Sequence, residues 1–257
     1  MATCSFRRPA WGAGVMSGVW GRLGASLLAA SIGLCSSAAS ADLFRRDDDT
    51  LLFFAGTDLW RQGSFSFTGG LWSPAGIDRE GFTFKLLLGA GSYQYYSDAL
   101  GEVTGRQFTG FAMPGYRFVR DKLFVTVFAG VDVQYHVFNP YDPGNKLLGT
   151  HAGIRGAVEL WYEPTPLSMI AADASFSSVG ASYSARVALG WRMFDKFFIG
   201  PEMGGFANGD DYRQFRAGIH LTGFRSGAVE WSLAGGWLVD SSDREGFYGR
   251  LNLITRR

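Results

Sequence analysis

Three sets of side chains in this sequence have the types and spacing to do chemistry. The first is ionic. Arg186, Glu202, Arg216 and Glu230 alternate in sign over four successive hydrophobic segments, and Lys85, Asp132, Arg155 and Glu159 occupy similar settings earlier in the chain. Each interrupts an apolar alternation on its polar side, where neighbouring strands would let opposite charges neutralise one another across a sheet. The second set is the histidines His136, His151 and His220. His136 and His151 flank the turn-forming string NPYDPGNK at residues 139–146, so a hairpin would draw them together beside Asp132 and Asp142 for metal binding or general-base work. The blander reading is a pair of histidines hydrogen-bonded within a polar network, and it is the better supported, because no G-x-S-x-G or H-E-x-x-H string accompanies them. The third set is aromatic. Tyr93, Tyr95, Tyr96, Tyr141, Trp161 and Tyr212 stand near segment ends, where the rings of a membrane-interface girdle belong.

The elements that must position these residues are strands. Leu123 to Val137, LFVTVFAGVDVQYHV, places Leu123, Val125, Val127, Ala129, Val131, Val133, Tyr135 and Val137 on one parity and Phe124, Thr126, Phe128, Gly130, Asp132, Gln134 and His136 on the other. A period of two is the signature of a pleated strand, and this run is much longer than the ~5–6 residues usual in globular sheets. Strands of that length with one apolar face suit a membrane barrel, and a lipocalin-like soluble barrel with the apolar face turned inward is the alternative. Similar alternations recur to the last residues, separated by turns rich in Gly, Pro and charge, for a total of about twelve strands. An even number is what a single-chain antiparallel up-and-down outer-membrane barrel needs.

Sign alternation among the polar residues decides the orientation. A solvated outer face would not require it, so Lys85, Asp132, Arg155, Glu159, Arg186, Glu202, Arg216 and Glu230 are expected to line the lumen, with the Val, Leu and Phe parity against lipid. The same rule turns Phe65, Phe67, Gly69 and Leu71 of the second strand outward, opposite Ser64, Ser66, Thr68 and Gly70. Pro114 predicts a bulge or local break in the fourth strand, since it cannot donate to the ladder.

Residues 1–41 read as a secretory signal peptide: Arg7, Arg8 and Arg22 are its only charges, Leu23 to Leu34 is apolar, and Ala39-Ser40-Ala41 fits a cleavage site. Met16 is an alternative start. Asp42 to Asp49 follows as a charged periplasmic leader, and residues 50–257 form the barrel domain. Both cysteines, Cys4 and Cys35, fall within the signal, which removes disulfides and thiolate metal sites from the remaining chain. With three arginines removed, the 24 basic residues no longer exceed the 23 acidic ones, a balance that offers nothing to nucleic acid. No cofactor is expected. The expected environment is outer-membrane lipid, with the oligomeric state left open.

Several strings together carry a resemblance: DREGFTFKLLLGAGSYQYY, FAGVDVQYHVFNPYDPGNKLLG, LWYEPTPLSMIAADASFSSVGASYSARVALGWR and IGPEMGGFANGDDYRQFRAGIHLTG. As a set, running from about Leu52 to Leu251, they resemble the cellulose biosynthesis protein BcsS family. The resemblance implies an envelope protein of bacterial cellulose synthesis or export, with cellulose or other synthesis components as partners, and it supplies no catalytic residues. For such a partner, Tyr93, Tyr95, Tyr141, Trp161 and Tyr212, with His136 and His151, could contact sugar rings and hydroxyls. The leading expectation is a scaffold or glucan-interacting accessory. A narrow porin-like channel and a surface lipid- or glycan-modifying enzyme remain as alternatives.

Overall fold

The computed structural model describes residues 49–97, 99–209 and 212–257, so the expected signal peptide and almost all of the charged leader lie outside the described residues. Twelve strands follow one another in the chain: β1 (Leu51–Trp60), β2 (Gly63–Trp72), β3 (Gly81–Ser97), β4 (Gly101–Arg120), β5 (Leu123–Asn139) and β6 (Gly149–Thr165) form the first half. The second half is β7 (Ser168–Ser177), β8 (Ser182–Met193), β9 (Phe197–Ala207), β10 (Arg213–Ser226), β11 (Val229–Asp240) and β12 (Glu245–Arg256). Every strand pairs antiparallel with its sequence neighbours, and β1 pairs with β12 from Leu52↔Arg256 to Trp60↔Tyr248, so the sheet closes. Closure satisfies every edge, the condition a sheet must meet to sit in hydrocarbon. The one helical segment among the described residues is the short turn Val179–Ala181, too brief to cross a membrane.

The predicted alternation holds for most of the wall. Val127, Val131 and Val133 of β5, Ile154 and Val158 of β6, Val187 and Leu189 of β8, and Leu233 of β11 are exposed on the outside, while Asp132, His136, Glu202 and His220 are buried within the lumen. The two turns beside β1 and β12 set a polarity. At the end holding both termini the connections are tight, apart from residues 73–80, whereas the opposite, open end carries residues 140–148, 178–181 and the segment before β10.

Strand β2 differs from its predicted orientation. Its register, Phe54↔Gly69 and Asp58↔Phe65 against β1, places Phe65, Phe67, Gly69 and Leu71 in the lumen and Ser66, Thr68 and Trp72 outside. Glycines explain the inversion. A Cβ on Gly89 would stand 2.5 Å from the Phe65 ring, one on Gly69 2.5 Å from Phe54, and one on Gly56 2.6 Å from Phe67. The rings therefore pack against bare backbone on neighbouring strands, in space that a side chain at these glycines would fill. Outside, the hydroxyls left by the inversion satisfy one another, Thr57 with Ser66 at 3.0 Å, and Thr68 donates to the Phe54 carbonyl.

At Pro114 the ladder to β3 continues, with Phe84↔Pro114, but the ladder to β5 skips from Ala112↔Val131 to Gly115↔Phe128 without a register shift. The result is a local break on one side and no bulge. Gly130 lies opposite the gap, where a Cβ would approach the Ala112 carbonyl to 2.1 Å.

Candidate functional site: a closed cup in the lumen

The lumen is filled in tiers. Nearest the termini, residues 73–80 fold inward. Ile77 is buried against Leu71, Met113 and Phe128, its amide donates to the Asp49 carbonyl at 2.7 Å, and its carbonyl accepts from Arg117. Asp78 pairs with Arg256 at 3.0 Å. Across the lumen a second apolar cluster packs Met169, Ala171, Ala188 and Phe198 under Trp161. Lys85 of β3 reaches over to Glu159 of β6 and lies 5.2 Å from the Phe54 ring and 5.5 Å from that of Phe128. Arg192 covers Phe198 at 4.3 Å and pairs with Glu163 at 3.0 Å. Together these side chains plug the lower barrel.

Above the plug runs a charged belt. Asp132, wholly buried, accepts from Arg155 at 2.8 Å, Gln134 at 2.9 Å, Thr109 at 3.2 Å and Ser177 at 2.5 Å. Arg186 donates to Asp173 at 2.7 Å and stands 3.6 Å from Glu202. Glu202 also accepts from Arg250 and from the Tyr248 hydroxyl at 2.9 Å. Gly218, in register with Glu202, makes room for that tyrosine, since a Cβ there would stand 2.7 Å from its oxygen. Such charge-assisted bonds are the strong ones in a site of low dielectric, and their mutual saturation lets buried charge persist.

Over the belt opens a cup of about 800 Å³ toward the end away from the termini. Its walls carry Trp60, Phe65, Tyr93, Tyr95 and Tyr212 with the amides of Gln107, Gln134 and Gln214, and its floor carries Asp58, Arg155, Arg186, Arg216 and Arg250. The residues 144–147 and Arg244 stand at the mouth, where Arg244 spans to the Gln94 carbonyl at 2.8 Å. Tyr95 donates to Asp142 at 2.7 Å, which ties the 140–148 loop to the wall. Burial, reinforced by the nearby Asp240 carboxylate, pushes the Tyr212 hydroxyl above its ordinary pKa. A concave site of this size with aromatic walls and convergent polar groups has the character of a small-molecule or oligomer site.

The structure distributes the sequence-predicted residues unevenly. Asp132, Arg155, Arg186, Glu202 and Arg216 meet in or beside the belt, and Lys85 with Glu159 lies below it. Glu230 does not meet Arg216. It sits next to the 227–228 turn at the terminal end and pairs with Arg225 at 3.2 Å, because β10 and β11 run antiparallel and carry the two residues to opposite ends. Tyr93, Tyr95, His136 and Tyr212 line the cup, whereas Tyr141 is exposed on its loop and Trp161 belongs to the plug. His136 and His151 are diagonal neighbours across β5 and β6, but each is already engaged. His136 contacts Tyr93 at 3.2 Å and Gln134 at 3.1 Å, and His151 contacts the Leu148 carbonyl at 3.2 Å. Among the described residues no group of three or more metal-capable side chains forms. The sequence expectations omit Asp58, Trp60, Asp173, Tyr248 and Arg250; alternation along β12 is a signal for Tyr248 and Arg250, whereas β1 and β7 carry apolar residues on both parities and give none for the other three.

Comparison with known proteins places this geometry. An outer membrane channel from Pseudomonas putida F1 superposes with a TM-score of 0.55 at 12% identity, covering 86% of this chain and 100% of the channel. A KdgM porin superposes at 0.45 and 10% identity, covering 79% of this chain and 98% of the porin. At 12% identity the likeness to the channel is one of fold, that of outer-membrane barrels. Among curated proteins none matches the chain by sequence. The family model for cellulose biosynthesis protein BcsS, by contrast, matches residues 52–257, from the second residue of β1 to the last of the chain, and the chain belongs to that family.

Proposed function

We propose that this barrel is a non-catalytic accessory of bacterial cellulose biosynthesis that sits in the outer membrane and receives a glucan segment in its cup. In this reading residues 1–41 direct export and are removed, 42–49 form a periplasmic leader, and the barrel inserts with its termini in the periplasm. The tight connections at the terminal end and the longer loops opposite fit that orientation, in which the cup faces outward. The observation that carries the proposal is a cup walled by aromatic rings and amides and closed beneath by the belt and plug. Rings offer faces to sugars, and amides and carboxylates match hydroxyls. A floor held by interlocked ion pairs suits holding better than passage. Family membership supplies the polymer.

Two measurements test the reading. Calorimetric titration of the folded, detergent-solubilised barrel with cellopentaose is expected to give saturable binding, and no binding by any cello-oligosaccharide overturns it. In planar bilayers the barrel is expected to stay silent; sustained single-channel openings would favour a narrow channel instead.

A further inference from the structure

Four guanidiniums around the cup are committed to carboxylates: Arg155 donates to Asp132, Arg186 to Asp173, Arg250 to Glu202 and Arg244 to Asp240. Arg216, on β10, is not. Its Nε donates to Gln214 at 2.8 Å, but Nη1 stands 3.7 Å from Asp58, near enough to offset charge and outside hydrogen-bond range. Among the described residues its two terminal nitrogens donate to nothing, and neither is sealed from solvent: the side chain lines the cup and is 20% exposed. The guanidinium is also held in place. Besides the Gln214 bond, it lies 5.1 Å over the Trp60 ring and 5.5 Å over that of Tyr248. A planar fork fixed in this way presents two N–H edges to the cup, the pattern that pairs with both oxygens of a carboxylate.

The rest of the lining favours the same ligand. Among the described residues, Lys146, Arg155, Arg186, Arg216, Arg244 and Arg250 line the cup, against the carboxylates of Asp58, Asp173 and Glu202. Asp132 and Asp240, the partners of Arg155 and Arg244, have side chains only 0% and 1% exposed and take no part in the lining. Their cations therefore stand between them and anything in the cup. We infer that the cup selects glucan that carries carboxylates over the neutral chain, and that Arg216 seats one such carboxylate on its open edge beside the Trp60 ring. The inference rests on the cup being a glucan site, as proposed above, and adds the acidic class of glucan it prefers.

The test titrates the parent and Arg216→Lys barrels, both verified as folded by heat-modifiable migration, with cellopentaose and with the same chain oxidised at C6 to the uronate. Lysine keeps a cation beside Asp58 and removes the two-pronged edge. The parent is expected to bind the oxidised chain about tenfold or more tightly than the neutral one, the factor one charge-assisted hydrogen bond carries, and to lose part of that preference as salt is raised. In the variant the ratio of the two affinities is expected to collapse toward one. Equal or tighter binding of the neutral chain by the parent overturns the inference and needs no variant, so a substitution that prevents folding leaves the test intact. A folded Arg216→Lys barrel that keeps the full preference of the parent overturns it as well. In either case, binding of cellopentaose by the parent preserves the glucan reading of the cup. If the parent binds neither chain, that reading fails and takes this inference with it.

Discussion

Two walls of this barrel solve the same problem in opposite ways. Along β8 to β12 the lumen is ionic and the outside apolar: Arg186, Glu202, Arg216 and Arg250 face inward while Val187, Leu189, Ile219 and Leu233 face out. Along β1 and β2 the lumen takes phenylalanines laid over glycines, and the outside shows Thr57, Ser66 and Thr68. A closed sheet needs its backbone satisfied and its outer surface free of unpaired charge, and either wall meets both conditions. The difference teaches that hydrophobicity alone does not orient a barrel strand. Charge does so strongly, because an ion pair in the lumen has no tolerable position on the outside. Rings and hydroxyls do so weakly, and close packing against glycine decides.

The comparison can be broken or sharpened by substitution, read as the denaturant midpoint of refolding into vesicles. The largest effect is expected at Glu202→Ala, which strands Arg250, Arg186 and the Tyr248 hydroxyl together and should cost about 3–5 kcal/mol. A loss under about 1 kcal/mol would mean that water replaces the carboxylate freely and the belt is not a sealed layer. Val187→Arg, near the middle of β8 on its outer face, should cost about 2–4 kcal/mol in a bilayer and far less in detergent. Equal stability in both media would show that this face does not meet hydrocarbon. Phe67→Ala uncovers Gly56 and should cost about 2 kcal/mol. The smallest change is expected from joint replacement of Thr57 by Val and Ser66 by Ala. Removing both partners of one exposed hydroxyl pair should shift stability by less than about 1 kcal/mol, and in a bilayer in the favourable direction.

The same contrast explains what was legible in the sequence. The strand number and the inward orientation of Asp132, Arg155, Arg186 and Glu202 follow from period-two alternation broken by charge, which survives folding because register shifts would expose it. Strand β2 lacks that marker: Phe65 and Phe67 outrank Ser66 and Thr68 on any hydrophobicity scale, and only the positions of Gly56 on β1 and Gly89 on β3 reveal where the rings fit. Glu230 was assigned to the belt by parity, but parity fixes a face and not a height along the barrel. Height depends on register with strands distant in sequence, as it does for Lys85 and Glu159, which meet across the lumen. Asp58 escaped notice because β1 carries apolar residues on both parities.

The inward fold of residues 73–80 bears on how the barrel is assembled. Its bonds run to Asp49 just before β1, to Arg117 on β4 and to Arg256 at the end of β12, so its last contact, Asp78 with Arg256, does not exist until the last strand has returned to the first. Joining those strands closes the longest loop in the chain, the step with the greatest entropic cost and the least local help. The segment therefore acts as a latch across the final seam. It engages fully only in a finished cylinder, where the Asp78–Arg256 pair opposes the parting of β1 from β12.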